Sequence, residues 1–266
     1  MGIGFYFPGS ETPFPSMRPW RPTSPVQLEA VDRVLLETVN DALAAHYGAP
    51  LAALPEMLDC EAKLLCTLPE LDHYGPREHE HYRGPIYTKM FGRGPDWPDM
   101  EGKRIFAFLH ADLPHFDNVF RHVKALGLPC FAYVRGASEA QISAIQCDAI
   151  RVTAEPIDLA AVIASCDALI CNGGHATIAA ATLAGRPMML IPHNVEQVLM
   201  AHWLGLGKSA LPVGVGTSDE VLGQLVAQLG NDAELAAAAA AIAARHEGHD
   251  MDKEVAEIVA RLEGLL

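Results

Sequence analysis

From Lys103 onward, short apolar runs alternate with segments whose apolar positions recur every three or four residues. The runs are 104-RIFAFLH-110, 130-CFAYVR-135, 149-AIRVT-153, 167-DALIC-171, 187-PMMLIP-192 and 210-ALPV-213. Between them lie amphipathic stretches near 115–127, 138–146, 157–165, 175–185 and 195–207. This alternation predicts an α/β fold, a Rossmann-like doubly wound parallel sheet with helices on both faces and a ligand crevice beyond the carboxyl ends of its strands. The tail reads as helices over 218–246 and 251–265, the first carrying the run 236-AAAAAAIAA-244, whose helix propensity is high.

The first hundred residues have a different pattern. A Pro-rich opening, 8-PGSETPFPSMRPWRPTSP-25, leads into one amphipathic helix at about 26–47, and 63-KLLCTLP-69 reads as a strand. After it, 72-DHYGPREHEHYRGPIYTKMFGRGPDWP-98 has the Gly, Pro and His content of a connector. One helix and one or two strands make a poor independent core. The expected division is therefore 1–100 and 101–266.

Composition narrows the classes. Half of the 266 residues are apolar and a fifth are charged, as in ordinary globular chains. No apolar run reaches the ~20 residues of a membrane span, and a signal-peptide pattern is absent from the start, so the expected location is cytoplasmic. A formal charge of −14 argues against a nucleic-acid surface. Cys60, Cys66, Cys130, Cys147, Cys166 and Cys171 form no C-x-x-C pair and read as reduced, buried hydrophobes. His73, His79 and His81 sit in a Pro/Gly connector without helical spacing or a second matched cluster, so no metal site is expected. Trp20, Trp97 and Trp203 are too scattered for a stacking platform and are expected to anchor packing.

The chemistry concentrates in 166-CDALICNGGHATIAAATLAGRPMMLIPHNVEQ-197. Asn172, Gly173 and Gly174 turn the chain between an apolar run and a small-residue helix, where glycines let backbone approach a ligand. The free N–H groups of a first helical turn favour an anion, and Thr177 is placed to donate its hydroxyl to a phosphate oxygen. The predicted ligand is a diphosphate. Equally open is a plain tight turn with Thr177 as a cap. Glu196 and Gln197 follow the next strand by the short loop 193-HNV-195; a carboxylate beside an amide suits sugar hydroxyls, and also suits the first turn of any helix.

Together, NGGHAT, AAATLAGRPMMLIP, EQ and the downstream LGLG resemble the donor-binding half of GT-B glycosyltransferases, family 1-like and dependent on UDP- or TDP-sugars, with an H-G-G-x-G-T loop and a D/E-Q pair. The resemblance spans roughly 101–266. It implies that Asn172, Gly173, Gly174, His175, Ala176 and Thr177 hold diphosphate and that Glu196 and Gln197 hold sugar. By the same resemblance the loop 153-TAEPI-157, through Glu155, Pro156 and Ile157, holds the base or is only a connector. Asn172 stands where the family has histidine and Ala176 where it has glycine; His175 either restores part of the lost imidazole or is a surface residue.

The pieces 4-GFYFPGSETPFPSMRPWRP-22 and 67-TLPELDHYGPREHEHYRGP-85 resemble internal parts of the family's acceptor domain, so residues 1–100 are expected to be its remnant with the interdomain connector. The resemblance implies hexose transfer from a UDP- or TDP-sugar to a hydroxylated, lipophilic acceptor, with no cofactor or metal and no identified base or other catalytic residue. The chain is expected to be inactive alone because the acceptor half is incomplete. The alternatives are a donor-binding subunit working with an acceptor-domain partner chain or as a homo-oligomer, and a nucleotide-sugar epimerase.

Overall fold

The computed structural model describes residues 1–18, 20–87 and 91–265. Along the chain run α1 (Pro25–Ala45), β1 (Ile105–His110), α2 (Phe116–Leu126), β2 (Cys130–Arg135), α3 (Glu139–Ile145) and β3 (Ile150–Thr153). These are followed by α4 (Leu159–Ser165), β4 (Ala168–Cys171), α5 (His175–Leu183), β5 (Met188–Leu190), α6 (Val195–Leu206) and β6 (Ala210–Pro212). Three helices end the chain: α7 (Asp219–Asn231), α8 (Ala233–Arg245) and α9 (Met251–Glu263).

Two compact units share these elements. One is Ile86–His249; the other joins Met1–Pro85 to Asp250–Leu266. The expected boundary at 100/101 thus falls inside the sheet-bearing unit, and the last helix lies with the N-terminal residues. The functional roles expected of the two parts are a separate matter.

In the sheet-bearing unit the six strands are all parallel, in the order β3-β2-β1-β4-β5-β6. Each expected apolar run from Arg104 onward becomes one of them, because a strand buried on both faces needs no polar alternation. Ile105, Ala107 and Leu109 of β1 pack on one face with Val119 and Val123 of α2 and Leu222 and Val226 of α7. Phe106 stacks on Phe131 from the other side, and Trp97 meets Phe131 edge-on while its indole N–H donates to Ser165 Oγ at 3.1 Å.

The stretch 218–246 divides into α7 and α8 at Asp232, whose carboxylate accepts from the backbone N–H groups of Glu234 and Leu235 and so caps α8. The alanine run then packs α8 against α5. At Gly185, φ is +67° and an added Cβ would stand 3.3 Å from both Ala240 Cα and Ala243 Cβ. Only glycine suits that backbone conformation, and only small residues fit opposite it.

In the other unit, the run 63-KLLCTLP-69 is not a strand. Leu65 makes isolated parallel bridges to Gly2 and Tyr82, with no neighbouring strand to extend either pairing. The fully buried Asp72 carboxylate organises this unit instead: it accepts from Tyr82 Oη at 2.9 Å, from Arg77 at 2.9 Å and from the Tyr74 backbone N–H at 3.0 Å. Burial pushes the Tyr74 hydroxyl up to about 12, and the Tyr82 hydroxyl up as well, with the Asp72 charge adding to both. Helix α1 begins with a capping box of Ser24 and Gln27 and has no buried residue.

All six thiols are free; Cys60 is exposed and Cys147 half-buried, while the other four are buried as expected. Among the described residues no helix is long and apolar enough to cross a membrane, and no three His, Cys, Asp or Glu side chains are grouped to hold a metal ion.

Candidate functional site

The sheet order reverses direction between β1 and β4: the chain leaves β1 toward β2 on one side, and β4 lies on the other. Helices connecting to opposite faces part at such a point, leaving a crevice at the carboxyl ends of the strands. A cleft of about 180 Å³ lies there. Phe108 and His110 of β1, Arg135 of β2, Cys171 and Asn172 at the end of β4, Gly174 and Thr177 at the start of α5, and His193 and Gln197 around the start of α6 line it.

Helix α5 begins without a side-chain cap. Gly174 is its N-cap residue, and Thr177 N–H bonds back to Gly174 O at 3.0 Å. The first-turn amides therefore carry the positive end of the helix dipole to the cleft without a competing side-chain acceptor. Gly173 has φ of +89°, a conformation that disfavours any side chain, and an added Cβ would stand 3.7 Å from Gln197 Cβ. An added Cβ at Gly174 would meet nothing within 4 Å, so that position opens toward the ligand space.

On the facing side, Asn194 caps α6 by accepting from Gln197 N–H at 3.0 Å. The Gln197 side chain is 7% exposed; its Oε1 accepts from His193 N–H at 3.1 Å, which leaves its NH2 group as a donor. Asn172, 8% exposed, places Nδ2 3.3 Å from His193 Nδ1. The His193 ring lies 6.5 Å from that of His110, centre to centre. Arg135 is exposed and has no side-chain partner among the described residues.

Electrostatically the cleft is one-sided. Among the described residues no carboxylate lines it, whereas one guanidinium and two imidazoles do. Burial pushes the Cys171 thiol up to about 12, against a smaller opposing effect of a backbone hydrogen bond from Gly173, so it stays neutral. In a chain of net charge −14, the lining of this cleft departs from the overall sign.

Of the residues singled out in the sequence, Asn172, Gly174, Thr177 and Gln197 meet in this cleft. Gly173 is buried beside Gln197, and His175 and Ala176 lie in the first turn of α5 outside the lining. Glu196, half-buried in the first turn of α6, is also outside it. Residues 155–157 are engaged by the chain's own residue 93. Glu155 pairs with Arg93 at 3.3 Å, Pro156 O accepts from Arg93 N–H at 3.0 Å, and the Ile157 side chain is fully buried. Sequence reasoning missed His110, Arg135 and His193. A signal existed, since the runs 104-RIFAFLH-110 and 130-CFAYVR-135 both end in a basic residue at the edge where ligands bind.

No protein-family model matches the chain, and no curated protein matches it in sequence. Solved structures do match in fold. Glycosyltransferase VinC in complex with DTDP is 19% identical, covers 84% of this chain and 57% of its own, and superposes with a TM-score of 0.66. For the spinosyn rhamnosyltransferase SpnG the values are 20%, 91%, 65% and 0.64. For the glycosyltransferase of kitacinnamycin they are 18%, 86%, 62% and 0.64. The chain spans less than two thirds of the length of each. With its six parallel strands and the crevice where their order reverses, the chain has the fold of the GT-B glycosyltransferases.

Proposed function

We propose that the cleft binds a nucleoside-diphosphate sugar, with UDP or TDP as the nucleotide, for transfer of a hexose to a hydroxyl of a lipophilic acceptor. The observation that carries this reading is the meeting of Gly174, Thr177 and Gln197 with Arg135 in one carboxylate-free cleft at the sheet's switch point. The diphosphate is assigned to the α5 amides, the Thr177 hydroxyl and Arg135, and the glycosyl group to the Gln197 NH2 with Glu196 beside it. VinC, of like fold, was solved with DTDP, which supports this ligand class.

Transfer breaks the bond from the anomeric carbon to the phosphate oxygen, whose electron pair stays with the departing diphosphate. The acceptor oxygen forms the new bond, and its proton goes to a base. Positive charge fixed in advance at the leaving oxygen lowers the barrier, and the α5 terminus with Arg135 supplies it. Nothing in the cleft is assigned as the base. We therefore expect the 266-residue chain to bind nucleotide well and to transfer sugar weakly by itself.

Calorimetric titration with UDP, TDP and GDP tests the reading. Gly174→Val should leave folding intact, because its side chain would enter open space, and should abolish binding. Thr177→Ala should weaken binding by about 1 to 3 kcal/mol, the worth of a hydrogen bond to a charged group. If none of the three nucleotides binds, the reading fails.

One observation favours a second form of the same function, a donor-binding subunit working with an acceptor-domain chain. Helix α1 exposes Val26, Val31, Val34 and Leu35. A co-purifying chain that confers robust transfer on the protein would establish that form; robust transfer by the purified protein alone would exclude it.

A further inference from the structure

His193 and Asn172 form a pair whose chemistry the proposed donor site does not yet use. With the Asn172 amide nitrogen as donor at 3.3 Å, His193 Nδ1 is the acceptor, so the neutral ring carries its proton on Nε2. Asn172 itself cannot titrate, but its amide offers two faces: a half-turn brings its oxygen where the nitrogen was. The same side chain can thus serve a bare Nδ1 or a protonated one.

Other charged and titratable groups lie on each neighbouring element. His110 comes from β1 and Arg135 from β2; Cys171 on β4 is a neutral thiol; Glu196 lies in the first turn of the helix that His193 precedes. Arg135, with no side-chain partner among the described residues, lines the same cleft as both imidazoles. An anion held in this cleft would favour a protonated imidazole, as any nearby opposite charge does.

We propose that His193 takes up a proton when a nucleoside diphosphate enters the cleft, and that Asn172 is the positioning residue that turns its amide to hold the ring in both states. The inference rests on the reading of the cleft as a diphosphate site. The proton comes from solvent and returns to it when the nucleotide leaves. In the loaded state Nε2–H donates to a phosphate oxygen while Nδ1–H donates to Asn172 Oδ1. An imidazolium is thereby supplied from the loop before α6, beside the leaving group, although residue 172 itself has no imidazole. Diphosphates should bind more tightly as pH falls toward neutrality, and monophosphates, with less charge to offer, should respond less.

The experiment is calorimetric titration of the whole chain with TDP and UDP at about pH 7.5, above the last phosphate ionisation near 6, in two buffers of different ionisation enthalpy. A net uptake of a fraction of a proton per nucleotide is expected. His193→Gln should remove that uptake and weaken binding about tenfold, the loss of one charge-assisted contact. His110→Gln should keep the uptake whatever its affinity. Asn172→Ala should reduce the uptake while nucleotide still binds, which a purely structural role for Asn172 would not produce. Binding without proton uptake, or uptake unchanged in His193→Gln, overturns the inference and leaves the diphosphate reading standing. If TDP, UDP and pyrophosphate all fail to bind, both fall together.

Discussion

The two units of this protein are organised around opposite kinds of interior. In Ile86–His249 the centre is an apolar sheet buried on both faces. In Met1–Pro85 with Asp250–Leu266, Leu65, Leu68 and Leu71 are buried, and so is a carboxylate that gathers an arginine, a tyrosine and a backbone amide. The difference teaches where each unit is vulnerable. Dispersed apolar packing loses stability in proportion to the volume removed, whereas a buried ionic hub fails at once when one partner goes.

The largest effect is therefore expected at the hub. Asp72→Ala strands the largely buried Arg77 guanidinium and the Tyr82 hydroxyl, and should cost that unit about 4 kcal/mol. Hydrogen exchange should show 65–82 losing protection while nucleotide binding by the sheet-bearing unit persists; loss of both would break the comparison. Next comes Ile170→Ala in central strand β4, fully buried, with about 3 kcal/mol lost in denaturant unfolding. Ser24→Ala removes half of the α1 capping box and should cost about 1 kcal/mol, seen as fraying of residues 25–28.

The smallest effect is pH-dependent. Asp219 accepts from His122 at 3.1 Å and from Arg121, which hold its carboxyl below the usual range, with His122 the larger influence. A depressed folded-state pKa means a contribution present above the unfolded value, near 3.9, and lost as pH falls through the folded one. The stability difference between the protein and its Asp219→Asn variant should thus be visible at neutral pH and vanish as pH falls below the ordinary carboxylate range. A difference that persists in acid would assign Asp219 a role other than its charge.

The sheet was readable because burial on two faces writes itself as continuous apolar runs. The first turn of α5 was readable because two glycines after such a run have a local meaning. Where the reading failed, the cause was tertiary. Leu65 looks like part of a strand, yet each of its neighbours in space offers a single bridge. Asp232 divides two helices by capping the second, in the string 231-NDAEL-235 that a continuous helical period passes over. His110, Arg135 and His193 are far apart in sequence, and only the strand order β2-β1-β4-β5 assembles them. Periodicity reports the face a residue occupies, not the neighbours that a crossover delivers. The loop 155–157 lies at the same edge, with Glu155 and Pro156 O engaged by Arg93.

The close seat of α8 on Gly185 links the alanine run to the ligand edge at a distance. The Ala243 methyl lies 3.3 Å from where a Gly185 side chain would begin, so a larger residue at 243 presses on the turn that ends α5. The opposite end of α5 carries Gly174 and Thr177, so Ala243→Leu is a lever arm that should detune anion affinity without touching the cleft. Natural variation along a tract that looks like filler would then be a quiet dial on how tightly the donor is held.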